Sequence, residues 1–396
     1  MAQATARPAP PAVRRTPIGK PFLGMIDAVI VGMPADFAFD GAIRLDEAAA
    51  AWTWLVRDLA PDLIDIETVG GSADDLAALE ALMPDLLGRA RKSLADAGTS
   101  TEIGRRLRTQ LGSEEAWDKL PTVLNALRCR KLLAKAQGFG RAANGMGDDA
   151  TLGLALQSMP LQDAPVAALL MQATVGQVAN PTRLVTAAIR IAGGASEGAL
   201  QRAGFGPMLE AILAHAQNQI PAFDQIGTFA DMDLVCRAVD RFHRLLRAVT
   251  GYVELNRSSR WAMIAAALAK AASERIEPKL RDVAPDLNKA LRRRDGTDKV
   301  DGDQILSALN GVYLLATVRD SRDSLAVNAV FDQVWSQAGQ ALEIHIERHL
   351  DHLRRTPADP AALARLDAAL KMAEIRFSPD YAETMRRARD AAIRRG

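Results

Sequence analysis

Three long segments of the chain place apolar side chains at helical spacing. In the first, residues 234–252, these side chains form two rows with a seven-residue spacing: Val235, Phe242 and Val249, and Val239, Leu246 and Val253. The second segment starts at Trp261, and the third covers residues 321–354. A helix of that last length would extend about 50 Å. Such helices pack along one another in bundles and arrays more naturally than in compact α/β enzymes.

Most of the remaining chain, from Asp46 onward, also has a helical pattern. Proline–aspartate pairs at Pro61, Pro84 and Pro285 each predict that one helix ends and another begins, because proline is disfavoured inside a helix but favoured in its first turn. The last segment, residues 359–395, predicts a helical hairpin broken just before Pro379. The predicted fold class is therefore mainly α, either a multi-helix bundle or an elongated helical array.

A small β-hairpin is predicted near the N-terminus. Residues 25–31 are the best strand candidate. Farther on, Asp40 and Gly41 stand between two short runs of alternating apolar residues, 37–39 and 43–45. Asp-Gly between such runs is typical of a type I′ turn, which needs positive φ at both central residues.

Glycine-rich breaks and a biased terminus suggest a domain organisation. Residues 1–20 are rich in alanine and proline, carry basic side chains and few aliphatic ones, and are predicted to be a disordered tail. Glycines cluster at 138–153 and again at 193–206. We expect three helical subdomains: an N-terminal one with the hairpin over 21–147, a central one over 148–300, and a long-helix C-terminal one over 301–396.

The charge balance limits the functional classes. The chain has 396 residues, with 49 Lys and Arg against 48 Asp and Glu, a formal net charge of +1, and 48% hydrophobic residues. This globular composition excludes wholesale disorder and a strongly basic nucleic-acid domain, while local basic patches stay open. Arginine far outnumbers lysine, which favours GC-rich coding and a bacterial source.

Cysteine usage and hydropathy predict a location. Cys129 and Cys236 form no C-x-x-C motif, so they predict buried free thiols in a reducing compartment.

The longest apolar run, Trp261–Ala269, is much shorter than the roughly 20 residues that a membrane-spanning helix needs. The arginine pair at 14–15 precedes an apolar stretch as in an export signal, but Asp27 interrupts that stretch. We expect a cytoplasmic protein, with export as the alternative.

Three histidines carry the most specific chemical signal in the chain. His345, His349 and His352 share one face of the third long helix, beside its apolar face. Two imidazoles one helical turn apart can begin a metal site, so the three are candidate metal ligands. Imidazoles also gain a proton near pH 6.5, so the same face could act as a pH switch. The interpretation that we favour is a boundary of amphipathic side chains between core and solvent.

A second candidate is an arginine-rich face on the first long helix. Arg237, Arg241, Arg244 and Arg247 lie close together there and could bind the phosphates of a nucleic acid or an anionic membrane surface. More often, such a face is solvated and its arginines pair with acidic side chains one turn away, as Asp240 permits.

No motif in the chain predicts an enzyme or a cofactor. Residues 138–143 match a G-x-G-x-x-A fingerprint for dinucleotides, but a helical pattern precedes them where that motif needs a strand. The sequence therefore favours a non-enzymatic helical scaffold or adaptor that binds another protein or itself, without a cofactor. Two alternatives stay open: a binder of an anionic polymer or membrane surface through the arginines, and a metal-binding helical protein or enzyme that uses the histidines.

Overall fold

A computed structural model describes residues 20–64, 73–224, 229–293 and 299–394. Its described residues are mainly helical, which confirms the predicted fold class. In chain order the helices are α1 (Lys20–Ile26), α2 (Leu45–Trp54), α3 (Ala73–Thr99), α4 (Thr101–Leu111), α5 (Glu114–Arg128), α6 (Arg130–Ala143), α7 (Asp149–Gln157), α8 (Ala164–Val175), α9 (Pro181–Ala192), α10 (Glu197–Arg202), α11 (Gly206–Gln217), α12 (Phe229–Thr250), α13 (Arg260–Leu291), α14 (Gly302–Ser321), α15 (Asn328–Arg355), α16 (Pro360–Arg376) and α17 (Pro379–Arg394). Residues 1–19 of the predicted tail lie outside the described residues.

The predicted β-hairpin is wrong. The two strands are β1 (Ile30–Val31) and β2 (Ile43–Arg44), and they pair in parallel. Helix α1 and a 3₁₀ turn, Asp27–Val29, occupy most of the segment predicted as the first strand. Within the described residues, positive φ occurs at Gly112, Gly193 and Gly204, so Gly41 does not form the type I′ turn.

The run before Asp40 is held away from the run after it. The backbone N–H of Asp36 donates to Gln217 Oε1 at 3.0 Å, and the carbonyl of Ala38 accepts a hydrogen bond from Arg260. These contacts hold residues 35–39 against helices far along the chain. In the described sheet, residues 37–39 are not a strand, and β2 pairs with β1.

The chain divides into two compact units. The first contains the described parts of Met1–Pro34, Asp40–Gly140 and Asp163–Gly176. The second contains those of Ala35–Phe39, Arg141–Gln162 and Gln177–Gly396. The subdomains expected from the sequence at 21–147, 148–300 and 301–396 stay a prediction.

One helix of unit 1, α8, is buried along almost its whole length. All of its residues from Val166 to Val175 are buried, including the polar side chains of Gln172 and Thr174, and it has no exposed polar face over this range. It shares the core of the unit with α1, α2, α3 and α5, where Phe22 and Trp52 pack with their ring centroids 4.9 Å apart.

Unit 2 contains a two-layer array of helices. Helices α9, α12, α14 and α16 lie side by side in one layer, named layer A, and α11, α13, α15 and α17 form layer B. From α11 to α17, each helix packs on the next one in the chain and on the next but one. Helices α12 and α14 run in the same direction, since Cys236 of α12 contacts Thr317 of α14, and His243, seven residues later, contacts Ser324, just after α14.

The heptad prediction for α12 is confirmed. All six side chains of its two apolar rows are buried, and Phe242 is fully inaccessible. The Phe242 ring meets Phe223 edge to face with centroids 5.9 Å apart. This apolar face packs against α11, α9 and α14, so α12 joins the two layers.

Two predicted helix breaks are wrong, because prolines lie inside helices. Helix α3 continues through Pro84, and α13 continues through Pro278 and Pro285. A proline inside a helix costs roughly 3 kcal/mol, mainly through a lost hydrogen bond and a steric clash. Burial of flanking side chains such as Met83 and Leu287 favours the continuous helix and offsets that cost.

The other predicted boundaries agree with the structure in part: a helical segment ends at Leu59, as the pair at Pro61 predicts, but no helix begins at Pro61. The third long helix begins at Asn328 rather than residue 321, because α14 continues to Ser321 and a 3₁₀ turn follows it. The C-terminal helical hairpin is confirmed as α16 and α17.

We expect Phe242→Ala to lower the free energy of unfolding by about 3–5 kcal/mol, because it leaves a cavity in the face that joins the two layers. Urea denaturation of the full chain measures this loss. The matched control on the same helix is Leu234→Ala, whose side chain is 50% exposed, and we expect it to cost less than about 0.5 kcal/mol. Equal losses at both positions would contradict the described packing of α12.

Candidate functional site

The three candidate histidines lie where α15 packs on the end of α13. His345 and His349 are buried, with 5% and 3% of their surface exposed, and His352 is partly buried. The rings of His345 and His349 lie 6.3 Å apart at an interplanar angle of 24°. The histidine face is therefore buried against another helix and does not point into solvent.

Both buried histidines bond to the last turn of α13. His349 Nε2 donates to the backbone carbonyl of Leu291, the last residue of α13, at 2.8 Å. His345 Nε2 donates to Asn288 Oδ1 at 3.0 Å, and Asn288 Nδ2 donates to the carbonyl of Ala284. The final carbonyls of a helix have no intrahelical partner, so His349 caps the C-terminus of α13.

His352 connects the end of α13 to the start of α16. Its Nδ1 accepts a hydrogen bond from Arg293 Nη1 at 2.8 Å, and its Nε2 donates to Asp359 Oδ2 at 2.7 Å. Asp359 is the N-cap of α16, and its other oxygen accepts from the N–H groups of Ala361 and Ala362. Because a guanidinium only donates, His352 Nδ1 is the acceptor in its contact with Arg293.

The surroundings of His345 favour its neutral form. Burial, together with the neighbouring His349 and Arg348, lowers the pKa of His345 from 6.5 to about 4. A cation here would lie in a low-dielectric site beside other positive groups. His345 is therefore neutral at pH 7.

The described contacts of the three histidines do not form a set of metal ligands. The Nε2 atom of each histidine already faces a hydrogen-bond acceptor. Among the described ranges, no group of three or more His, Cys, Asp or Glu side chains is arranged to hold a metal ion. What the described geometry does show is a polar junction between three helices.

The sequence did not reveal the partners of the histidines. Asn288 and Leu291 belong to the end of α13, which the prediction had interrupted at Pro285, and Arg293 follows that helix. Asp359 carried a signal of its own, because an aspartate directly before a proline that starts a helix is a common N-cap.

The four candidate anion-binding arginines differ in their surroundings. Arg237 and Arg244 are exposed and pair with Asp233 and Asp240, one turn away, at 2.7 and 2.8 Å. Arg247 is also exposed and lies over Gly251.

Arg241 faces the protein and not the solvent. Its Nη1 donates to the carbonyls of Val178 and Ala179, just before α9 begins. Burial lowers the pKa of Arg241, and Arg244 adds to that effect. Arg241 thus binds backbone carbonyls between neighbouring helices of layer A, while an anion-binding role for the face as a whole stays a prediction.

The remaining motifs occupy structural positions. Residues 138–143, the G-x-G-x-x-A match, lie inside α6, so they do not form the strand-to-helix loop that a dinucleotide needs. Cys129 is buried and Cys236 is half-buried, and both are free thiols.

Comparisons with known proteins identified no relative of this chain. Neither the family models, nor the curated proteins, nor the solved structures gave a match to the chain. Within the described residues, no helix is both long enough and apolar enough to cross a membrane.

We expect His349→Ala to destabilise the protein by about 1–3 kcal/mol, because it leaves the buried carbonyl of Leu291 without a donor. His349→Gln is the matched control, since its amide nitrogen can take the place of Nε2 and should restore most of the loss. Chemical denaturation gives the stability, and elemental analysis of the same samples gives the metal content. Stoichiometric metal in the wild type that disappears in both variants would instead support the metal-site prediction.

The arginine face gives a second expected contrast. Arg241→Ala should cost about 1–3 kcal/mol of unfolding free energy, because it removes the donor to two interhelix carbonyls. Arg244→Ala removes an exposed ion pair and should cost less than about 0.5 kcal/mol. Thermal unfolding of both variants measures the difference, and the reverse order would contradict the described role of Arg241.

Proposed function

We propose that this chain is a non-enzymatic helical scaffold or adaptor that mediates protein–protein interaction. The observation that carries the proposal is the two-layer array of unit 2. From α11 to α17, its helices pack on their near neighbours in the chain, and helices of both layers carry exposed side chains.

Stacked helices of this kind present broad, rigid surfaces. In helical repeat proteins, the same nearest-neighbour packing creates extended faces that bind other proteins. The step from array to binding is a fold-level analogy, since a fold by itself does not specify a function. The histidine junction supports this proposal because its described contacts hold helices together.

Exposed apolar side chains occur on both layers. On layer A, Leu234 of α12 is 50% exposed and Tyr313 of α14 is 37% exposed. On layer B, Met263 of α13 and Ile344 of α15 are 59% and 46% exposed. Scattered exposed apolar residues are normal on protein surfaces, so these four serve to probe the two faces and do not mark a defined patch.

The proposal includes a cytoplasmic location, either another protein or a second copy of this chain as partner, and no cofactor. The free state of Cys129 and Cys236 supports a reducing compartment. Self-association would use the same exposed faces as a partner protein.

The test compares variants of the two faces in the full-length chain. Proteins captured from the source cells are purified and titrated against the wild type, against Leu234→Glu/Tyr313→Glu on layer A, and against Met263→Glu/Ile344→Glu on layer B. We expect one double variant to weaken binding at least tenfold and the other to change it less than twofold, with thermal unfolding of both close to wild type. Sedimentation of the chain alone tests self-association in the same way.

Two outcomes would contradict the proposal. In the first, no captured protein binds the purified chain directly and the chain does not self-associate. In the second, a partner binds both double variants with wild-type affinity, which would place its contact away from both faces of the array.

A further inference from the structure

An apolar groove lies in unit 2 where the end of α12 faces the first half of α13. We name it the α12–α13 groove, and its volume is about 380 Å³. Leu246 of α12, Leu255 after it and Leu325, between α14 and α15, contribute to its lining. Ligand pockets usually have volumes of about 300–1,000 Å³ and a mostly apolar lining, so the groove has the size and surface of a site for a small molecule.

Small side chains on α13 leave the groove open. Those that line it are Ala262, Ala265, Ala266 and Ala269. Other buried positions of α13 carry larger side chains, such as Leu268 and Ile276, which fill the space beside them. The first and last of the four alanines are seven residues apart, or about 10 Å along the helix. The row of methyl groups therefore forms one long wall, which suits an extended hydrocarbon chain.

The wall opposite these alanines is held in place by hydrogen bonds. Ser324 Oγ, which lines the groove, lies 2.9 Å from His243 Nδ1 of α12. The backbone N–H of Ala326 donates to Ser273 Oγ of α13 at 2.7 Å. These two contacts fix the segment after α14 to both neighbouring helices. A wall that is already ordered lowers the entropy cost of binding a ligand.

Asp323 is the charged residue among the described residues that line the groove. Its side chain is exposed, and it forms no ion pair with another described residue. The adjacent Arg322 instead lies 3.8 Å from Asp332. Burial lowers the pKa of the nearby His243, so that ring is neutral above pH 7 and does not balance the carboxylate. The groove thus combines an apolar wall with one negative charge.

We propose that the α12–α13 groove binds a small primary alkylammonium ion, with its hydrocarbon chain along the alanines of α13 and its ammonium group beside Asp323. The hydrocarbon supplies most of the affinity, because its burial removes apolar surface from water. The exposed carboxylate supplies selectivity for a cation over a neutral molecule of the same shape. The proposal is independent of the scaffold function, since it needs no partner protein.

Calorimetric titration of the full-length chain with butyl-, pentyl- and hexylammonium chloride tests the proposal. We expect one bound ligand per chain and a Kd that falls about three- to fourfold with each added methylene group. Hexanol, the neutral analogue, should bind about two- to fivefold more weakly than hexylammonium at low ionic strength, and high salt should reduce this difference. Absence of saturable binding, or a Kd that does not depend on chain length, would overturn the proposal.

A pair of alanine variants locates the ligand. Ala266→Leu places a larger side chain in the groove and should weaken the binding of hexylammonium and of hexanol about tenfold or more. Ala267→Leu is the matched control, because Ala267 is exposed on the same helix and does not line the groove. It should change both Kd values less than about twofold. Equal effects of the two variants, with thermal unfolding close to wild type, would place the ligand elsewhere and overturn the proposal.

A second pair of variants tests the charge and does not depend on the folding of the first pair. Asp323→Asn should remove the preference for hexylammonium over hexanol while the Kd of hexanol changes less than about twofold. Asp320→Asn is the matched control, because Asp320 is exposed, pairs with Arg319 and does not line the groove. It should keep the preference. A preference for the cation that persists in folded Asp323→Asn would also overturn the proposal.

Discussion

Burial of the apolar face of α12 is the constraint on which the array depends. The two rows around Phe242 are too wide to be covered by one neighbour, so helices from both layers pack on them. Once α12 is fixed in this way, α13 and α14 must follow in alternate layers, because the intervening connections are short and each helix also has an apolar face to bury. The same requirement, repeated along the chain, produces the two layers of helices.

Polar contacts determine where the helices meet along their length. Apolar packing alone leaves neighbouring helices free to slide, because apolar contacts are not directional. The hydrogen bonds from Arg241 to the carbonyls before α9 fix the position of α12 along α9 in layer A. The hydrogen bond from His349 to the end of α13 fixes the position of α15 along α13 in layer B. The sequence indicated these side chains as candidate ligand-binding groups, and in the described structure they have interhelix partners.

Periodicity in the sequence predicted the parts of the fold that depend on local patterns. The heptad rows of α12 and the C-terminal hairpin are confirmed because each is set by residues close in the chain. The parallel β1–β2 pair and the continuity of α13 through Pro285 were missed, since both depend on contacts with distant residues. The partners of the histidine cluster were missed for the same reason: they lie about 57 residues before the histidines, beyond a proline that locally indicates a helix end.

The position of α8 in the chain has a consequence for the order of synthesis. Unit 1 begins near the N-terminus, but α8 supplies Val166, Leu169, Leu170 and Ala173 to its core. A nascent chain that has emerged only as far as α6 therefore exposes the apolar surface that α8 later covers. Part of unit 2, α7, is synthesised before unit 1 is complete. The core of unit 1 therefore stays incomplete until α8 has been synthesised, and a fragment that ends before α8 exposes apolar surface that chaperones would recognise.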